Sequence, residues 1–129
     1  MTSSIAVPPT RLELADGLVG LPAARSFEVR PVPSGELIEL VSLDDPDLGF
    51  VAAPADTVRA GYTSELVTAG FAAADTAVLV LLAVHGDPPM VTANLAGPLV
   101  VAPDGTGRQL VLEGTQFPLH ERVGAAGQG

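Results

Sequence analysis

The residues able to support catalysis or metal binding are few in this 129-residue sequence. Its two histidines, His85 and His120, would form a metal site only together with a carboxylate such as Asp87 or Glu121. These residues do not follow the spacing of a known ligand set, and no G-x-S-x-G motif marks a serine nucleophile. Surface histidines are therefore the preferred interpretation, and a small hydrolase or metalloenzyme is the alternative. We expect no catalytic residue and no cofactor.

Two short polar segments have the composition of ion-binding loops. The acidic run Asp44-Asp45-Pro46-Asp47 lacks the glycine and the terminal glutamate of a calcium-binding loop, so we expect a solvated turn. Gly105-Thr106-Gly107 precedes a strand pattern, and Arg108 is the nearby cation. Because phosphate-binding glycine loops open a helix, this segment is predicted to be a hairpin turn.

The composition excludes several functional classes. Six basic residues, all arginine, stand against 15 acidic residues, which gives a net charge of −9, and cysteine is absent. Without cysteine there are no disulfides or thiolate metal sites, and without lysine there is no Schiff-base chemistry. The negative charge disfavours direct binding to nucleic acid or to an anionic membrane. No signal peptide or membrane-spanning run is recognisable, so we expect a cytoplasmic protein.

Short alternating or β-branched runs dominate the sequence and predict strands. They recur about every ten residues, between segments rich in Gly, Pro and Asp. We expect strands at 11–14, 27–30, 37–43, 48–53, 76–84, 90–94, 99–102 and 109–112. A series of short strands at this spacing predicts an all-β sandwich or barrel in a single domain.

Two of the expected elements have distinctive patterns. Residues 76–84 form a continuous apolar run, which is expected to be buried on both faces. One short helix is expected at residues 62–71, with Thr63 or Ser64 as its N-cap and Gly70 closing its end. A helix of about two turns is marginal on its own, so it must pack against the sheet.

Several segments, in order along the chain, resemble the FliW family of flagellar assembly factors. Thr92–Val101 (TANLAGPLVV) resembles the family segment T-x-N-L-x-x-P-I-V-I, and Gly107–Leu112 (GRQLVL) resembles G-x-Q-V-V-L. Leu40–Phe50 (LVSLDDPDLGF) resembles L-x-S-x-x-x-x-D-L-x-F, and Asp16–Leu21 (DGLVGL) resembles E-G-L-P-G-F. The order and spacing of these motifs carry the resemblance, because each motif is short.

The resemblance extends over residues 11–123, where Pro54 and Gly61-Tyr62 also stand at matching spacing. The sequence departs from the family pattern at Val19, where proline is usual, and at Phe117, where tyrosine is usual. These departures concern the surface that meets partners more than the fold.

The resemblance implies a small, mainly antiparallel β-barrel-like domain with one short helix at residues 11–123. A flexible N-terminal arm is expected at 1–10 and a flexible tail at 124–129. Members of the FliW family bind flagellin in the cytoplasm and have no catalytic activity. When flagellin is secreted, they bind the RNA-binding translational repressor CsrA and relieve repression of flagellin mRNA. A flagellin chaperone without CsrA control is the alternative.

Three candidate partner contacts lie in the Thr92–Val101 segment. Asn94 stands between apolar strand residues, so its amide must find hydrogen-bond partners. Those partners belong either to a bound protein or to the chain's own bend before Pro98. Leu95 and Pro98 would form an apolar rim beside the amide, or would pack in the core.

Four more candidate contacts lie upstream. Tyr62 is the sole tyrosine, and tyrosine is favoured at interfaces, although it would serve equally to anchor the start of the helix. Phe50 lies in an apolar strand, which favours a core position. Asp45 and Asp47 are candidates for contacting arginines on a basic partner such as CsrA, or for repelling its RNA.

Overall fold

The computed structural model of the chain describes residues 10–31, 37–45, 47–85, 90–112, 117 and 121–123. The expected N-terminal arm up to residue 9 and the expected tail from residue 124 lie outside the described residues. The candidate metal ligands Asp87 and His120 also lie outside them, as does the side chain of His85.

Nine strands and two short helices make up the described structure. In chain order they are β1 (Arg11–Leu14), β2 (Ser26–Pro31), β3 (Ile38–Ser42), β4 (Gly49–Pro54), α1 (Ala55–Val58), α2 (Tyr62–Thr68), β5 (Ala77–His85), β6 (Met90–Ala93), β7 (Leu99–Val101), β8 (Thr106–Gln109) and β9 (Glu121–Val123). The expectation of one short helix was wrong, because α1 forms a separate turn between Pro54 and α2.

Seven of the strands close into a barrel. Around the ring they follow the order β4-β3-β2-β1-β8-β7-β5, and β5 returns to pair with β4 from Val51↔Leu82 to Pro54↔Leu79. Strands β6 and β9 extend the sheet outward from β5. Among the described residues, β1 and β8 form the only parallel pair. The expected mainly antiparallel β-barrel is therefore confirmed, and closure leaves no free edge within the ring.

One apolar cluster fills the inside of the barrel. Alternation along each strand turns every second side chain toward the axis. Leu12, Leu40 and Leu99 are fully buried there. Phe27 packs edge to face against Phe50, with 6.0 Å between ring centroids. Burial of such side chains, worth about 25 cal/mol per Å² of apolar surface, holds the ring together.

A second apolar cluster lies outside the barrel wall, where α2 covers strands β5 and β7. Val80 and Val100 on the outer face belong to the same cluster as Tyr62 and Leu66 of α2. All four side chains are buried. The short helix is thus stabilised by packing against the sheet, as expected for two turns.

Helix α2 closes at the predicted glycine. Gly70 has φ +86°, a left-handed conformation that glycine adopts without strain. The N–H of Gly70 donates to the carbonyl of Val67 at 3.1 Å, and the N–H of Phe71 donates to that of Leu66 at 2.9 Å. This pair of bonds is the Schellman arrangement, which satisfies carbonyls at a helix end.

The start of α2 differs from the prediction. Neither Thr63 nor Ser64 caps it, because both lie inside the helix, and Gly61 with φ +81° occupies the N-cap position. The N–H of Thr63 instead donates to Oδ1 of Asp56, in α1, at 2.8 Å. A carboxylate at this end also favours the helix dipole.

The expectation that residues 76–84 are buried on both faces holds only for the first half of β5. Ala83 is exposed, and Val84 has 67% of its surface exposed. Pairing with β4 ends at Val51↔Leu82, so beyond Leu82 the strand pairs with β6 alone and projects past the barrel.

The return strand of the β7–β8 hairpin lies earlier than the expected 109–112. The turn is tight: the N–H of Ala102 donates to the Thr106 carbonyl at 2.8 Å, so pairing resumes at Thr106. The chain after Gln109 continues beside the segment before β7, with the N–H of Leu110 donating to the Pro98 carbonyl at 2.8 Å. Strand β9 was not expected from the sequence.

The two ends of β5 provide a matched test of this burial pattern. Val80→Ala is expected to lower the free energy of unfolding by about 2 kcal/mol, because it removes buried apolar volume. Val84→Ala, the same change on the same face of the same strand, is expected to alter it by less than about 0.5 kcal/mol. Urea denaturation of both variants measures the difference, and equal losses would contradict the assigned exposure of Val84.

Candidate partner-binding surface

Several connections of the chain meet at one end of the barrel. Strands β1, β3 and β8 end there, while β2, β4 and β7 begin there. We call this end the loop rim, which comprises residues 15–25, 43–48, 94–98 and 110–112, of which all but Pro46 are described. The projecting end of β5 and the start of β6 extend on the same side. The loop rim therefore gathers Asp45, Asp47, Asn94, Leu95 and Pro98, whereas Phe50 lies on β4 just beyond it and Tyr62 lies on α2.

Segment 94–98 interrupts what would otherwise be one long strand. Strands β6 and β7 pair with the same edge of β5, with Ala93 opposite Leu82 and Leu99 opposite Leu79. The stretch of β5 between those partners is shorter than segment 94–98. The surplus chain must therefore leave the ladder, as in an enlarged β-bulge, and it forms part of the loop rim.

The amide of Asn94 shapes this loop. Its Oδ1 accepts the N–H of Ala96 at 3.1 Å, and its backbone N–H donates to the Leu81 carbonyl at 3.0 Å. A Cβ at Gly97 would come within 2.8 Å of the Asn94 Nδ2, so a larger residue there would require the Asn94 amide to move. The half-buried amide thus holds the chain's own bend. Its contact with a partner stays a prediction.

Gln109, which the sequence motifs did not single out as a contact, connects two loops of the rim. Its Oε1 accepts the N–H of Val19 at 2.8 Å, and its Nε2 donates to the Gly97 carbonyl at 2.9 Å. One side chain therefore fixes loop 15–25 against segment 94–98. The sequence indicated a role for Gln109 only through its place in the Gly107–Leu112 motif. Its residue type alone does not distinguish a bridging glutamine from one that is exposed on a strand.

The tip of loop 15–25 presents apolar side chains to solvent. Leu18 and Leu21 exchange backbone hydrogen bonds at 3.1 and 2.8 Å, which closes a tight turn. Gly20 in this turn has φ +85°. Val19 is 65% exposed and Leu21 is 42% exposed. A tight backbone thus holds apolar surface in a fixed position.

Carboxylates of the acidic turn accept backbone hydrogen bonds, both from the neighbouring chain and from within the turn. Oδ2 of Asp44 accepts the N–H groups of Arg25 and Ser26 at 3.2 and 3.0 Å, and Oδ1 of Asp45 accepts the N–H of Asp47 at 3.1 Å. Asp45 and Asp47 are exposed. In the part of the chain that the structure describes, none of these three carboxylates forms an ion pair. The turn therefore presents unneutralised negative charge to solvent.

Most of the large apolar side chains that the described structure exposes lie at this end. They are Val19, Leu21, Leu43, Val51, Val84, Met90 and Val111. Leu37 and Phe71, which are also exposed, precede β3 and β5 and lie at the opposite end. Exposed apolar side chains gathered beside acidic groups are typical of a surface that binds another protein.

Three of the predicted contact residues are buried in the protein's own core. Tyr62 and Leu95 have no exposed surface, and Pro98 has less than 2%. The Tyr62 hydroxyl donates to the Leu95 carbonyl, and its ring packs edge to face on Phe117 at a centroid distance of 4.9 Å. These contacts anchor segment 94–98 to α2, and a direct partner contact would require this core to open. Phe50 is half-buried against Phe27.

Side chains of the metal-binding types lie apart from one another in the described ranges. There, no group of three or more His, Cys, Asp or Glu side chains is placed to hold a metal ion. The Ser42 hydroxyl accepts the N–H groups of Asp44 and Asp45 at 3.1 and 3.0 Å and so helps to shape the acidic turn. The helices of the described structure are too short to cross a bilayer.

Both the sequence and the fold are similar to those of known proteins. The sequence matches the FliW protein family over residues 3–123. It is 29% identical over 113 residues to the flagellar assembly factor FliW of Geotalea uraniireducens (strain Rf4), covering 82% of this chain and 69% of that protein. It is 31% identical over 131 aligned positions to flagellar assembly factor FliW 2 of Desulfotalea psychrophila (strain LSv54), covering 89% and 87%. The fold matches a crystal structure of the flagellar assembly factor FliW with a TM-score of 0.71 and 25% identity, covering 88% of this chain and 84% of that one.

The two hydrogen bonds of Gln109 can be separated by substitution. Gln109→Met removes both, so faster hydrogen exchange is expected at the Val19 amide and in segment 94–98, with a loss of about 1–3 kcal/mol in stability. Gln109→Glu keeps an acceptor for Val19 but places a carboxylate against the Gly97 carbonyl. It should preserve protection at Val19 and loosen only segment 94–98. Unchanged exchange in Gln109→Met would contradict the bridging role.

Burial of Tyr62 predicts a defined pH dependence of stability. Burial raises the pKa of Tyr62 far above its ordinary value of 10.0. Above about pH 10 the unfolded chain therefore loses a proton that the fold retains, and the free energy of unfolding should fall by up to about 1.4 kcal/mol per pH unit. Below about pH 9 this contribution is fully present.

Because the chain has no lysine and no cysteine, and arginine stays protonated, Tyr62 is the side chain that titrates above about pH 10. Tyr62→Phe should be less stable at neutral pH, since the Leu95 carbonyl loses its donor, but it should lack the decline above about pH 10. Urea denaturation between pH 8 and about 11.5 compares the two proteins. Parallel curves for wild type and Tyr62→Phe would contradict the assignment.

Proposed function

Because the chain belongs to the FliW family of flagellar assembly factors, we propose that it binds flagellin and antagonises the translational repressor CsrA. It acts in the cytoplasm, where flagellin awaits secretion. While flagellin is abundant it occupies the protein. Once flagellin is secreted, the freed protein binds CsrA and relieves repression of flagellin mRNA.

The observation that carries this proposal is the chemistry of the loop rim. Asp45 and Asp47 expose carboxylates that form no ion pair among the described residues, beside the exposed apolar side chains of Val19 and Leu21. An apolar centre with acidic neighbours complements a basic protein surface. CsrA binds RNA and must present such a surface.

Charge also explains how a protein partner would oppose RNA binding. A body with a net charge of −9 raises the energy of bringing phosphates to the surface it occupies. Each phosphate contact that RNA loses weakens its binding and reduces the log–log salt slope by about 0.7. Coupling of about 1–3 kcal/mol between two ligands is ordinary, and it is enough to shift the repressor between its two states.

Charge reversal on the rim tests this proposal. Asp47→Lys, and more strongly the double change Asp45→Lys with Asp47→Lys, should weaken competition between this protein and RNA for CsrA. The loss should be larger at 50 mM than at 300 mM salt, about 14 and 6 Å in screening length, since exposed charges are screened at high ionic strength. Fluorescence anisotropy of a labelled flagellin leader RNA measures the competition.

Asp75→Lys is the matched control, because Asp75 is exposed and lies before β5, at the opposite end of the barrel from the rim. It changes the net charge by the same amount and should leave competition close to wild type. Equal losses in Asp47→Lys and Asp75→Lys would show that net charge, and not the rim, acts on CsrA. Absence of calorimetric binding to both flagellin and CsrA at micromolar concentrations would overturn the proposal as a whole.

A further inference from the structure

A groove lies at the opposite end of the barrel from the loop rim, between the chain that follows α2 and the β7–β8 hairpin. Its volume is about 310 Å³, within the range of ligand-binding clefts. The floor is apolar, formed by Phe71, Ala72 and Ala73 on one side and by Val100 and Ala102 on the other. Phe71 is 39% exposed, so an aromatic ring borders the groove and is open to solvent.

The threonines of the groove are already committed within the chain. The Thr76 hydroxyl donates to the Ala73 carbonyl at 2.7 Å, and the Thr106 hydroxyl donates to Oδ1 of Asp104 at 2.7 Å. Arg108 is the one lining residue of the groove that carries a charge.

Arg108 is exposed and stands directly opposite Val100 across the β7–β8 ladder, so its side chain shares the face that carries the apolar floor. Among the described residues it forms no ion pair. Two carboxylates of the neighbouring strand and the hairpin turn have other partners: Glu13 accepts from Arg11 and Ser26, and Asp104 accepts from Thr106. The chain has a net charge of −9, so carboxylates greatly outnumber arginines. An arginine that forms no ion pair beside an open apolar groove is therefore a candidate ligand-binding group.

We infer that this groove binds a segment of a partner protein that presents an apolar side chain next to an aspartate or glutamate side chain. The apolar side chain covers Phe71 and Val100, and the carboxylate accepts hydrogen bonds from the guanidinium of Arg108. Arginine suits this role because its planar group binds a carboxylate through two parallel hydrogen bonds. The groove and the loop rim therefore select segments of opposite charge.

Short peptides with blocked ends test the inference on the full chain. The probe is acetyl-Gly-Leu-Leu-Glu-Gly-amide, and its two controls replace Glu by Gln or both leucines by Gly. Titration of the ¹⁵N-labelled protein, followed by NMR, should shift the amides of Phe71, Val100 and Arg108. The Glu peptide should bind about two- to fivefold more tightly than the Gln peptide at low salt, the range for an exposed ion pair. The peptide without leucines should bind more weakly than either.

Two variants separate the ion pair from the apolar contact. Arg108→Gln should bind the Glu and Gln peptides equally, while Phe71→Ser should weaken both peptides by the same factor. Arg30→Gln, an equal charge change at an exposed arginine on β2, should keep the wild-type ratio.

Three outcomes would each overturn the inference: shifts confined to other parts of the protein, no shifts at 5 mM peptide, or a Glu-to-Gln affinity ratio that survives in Arg108→Gln. None of these outcomes depends on flagellin or CsrA, so they are distinct from failure of the proposed function.

Discussion

The pairing of β5 along both of its edges is the constraint on which the rest of the structure depends. One edge pairs with β4 and closes the barrel, and the other edge pairs first with β7 and then with β6. Because a single nine-residue strand serves two partners on that second edge, the chain joining them cannot stay in the sheet. Segment 94–98 leaves the ladder for this reason, and the loop rim gains its most irregular backbone from the same strand that closes the ring.

A segment that leaves a sheet loses ladder hydrogen bonds, and its buried polar groups need other partners. Here the partners come from two directions. Gln109 holds the Gly97 carbonyl from the rim, and Tyr62 holds the Leu95 carbonyl from the outer core. The Asn94 amide closes the bend between these two anchors. The loop therefore has a defined shape, although it lies outside regular secondary structure.

The local sequence pattern predicted those elements that are determined by residues close together in the sequence. Alternation located most strands to within a few residues, and Gly70 marked the end of α2 because a left-handed residue is needed there. The exposure of Val84 was missed because it depends on where β4 stops, which lies far away in sequence. Asp47 was expected in a solvated turn and is exposed, whereas the burial of Leu95 and the bridge made by Gln109 follow from the barrel topology. Hydrophobicity alone does not tell whether an apolar side chain meets the protein's own core or another protein.

Rigid presentation of the rim connects the fold with the binding that we propose. An exposed apolar loop that is flexible must be ordered when a partner binds, and that cost reduces affinity. The rim avoids much of this ordering cost, since Val19 is fixed by its N–H bond to Gln109 and segment 94–98 is anchored by Tyr62.

Helix α2 extends this argument to the far end of the barrel. It begins at Tyr62, and Phe71, which closes its last turn, borders the groove. A ligand in the groove that displaced α2 would have to move segment 94–98 together with the helix. Otherwise the buried Leu95 carbonyl would lose its hydrogen-bond donor, which costs free energy. The seven-residue helix therefore lies between the two surfaces, with Tyr62 in contact with the rim segment and Phe71 at the border of the groove.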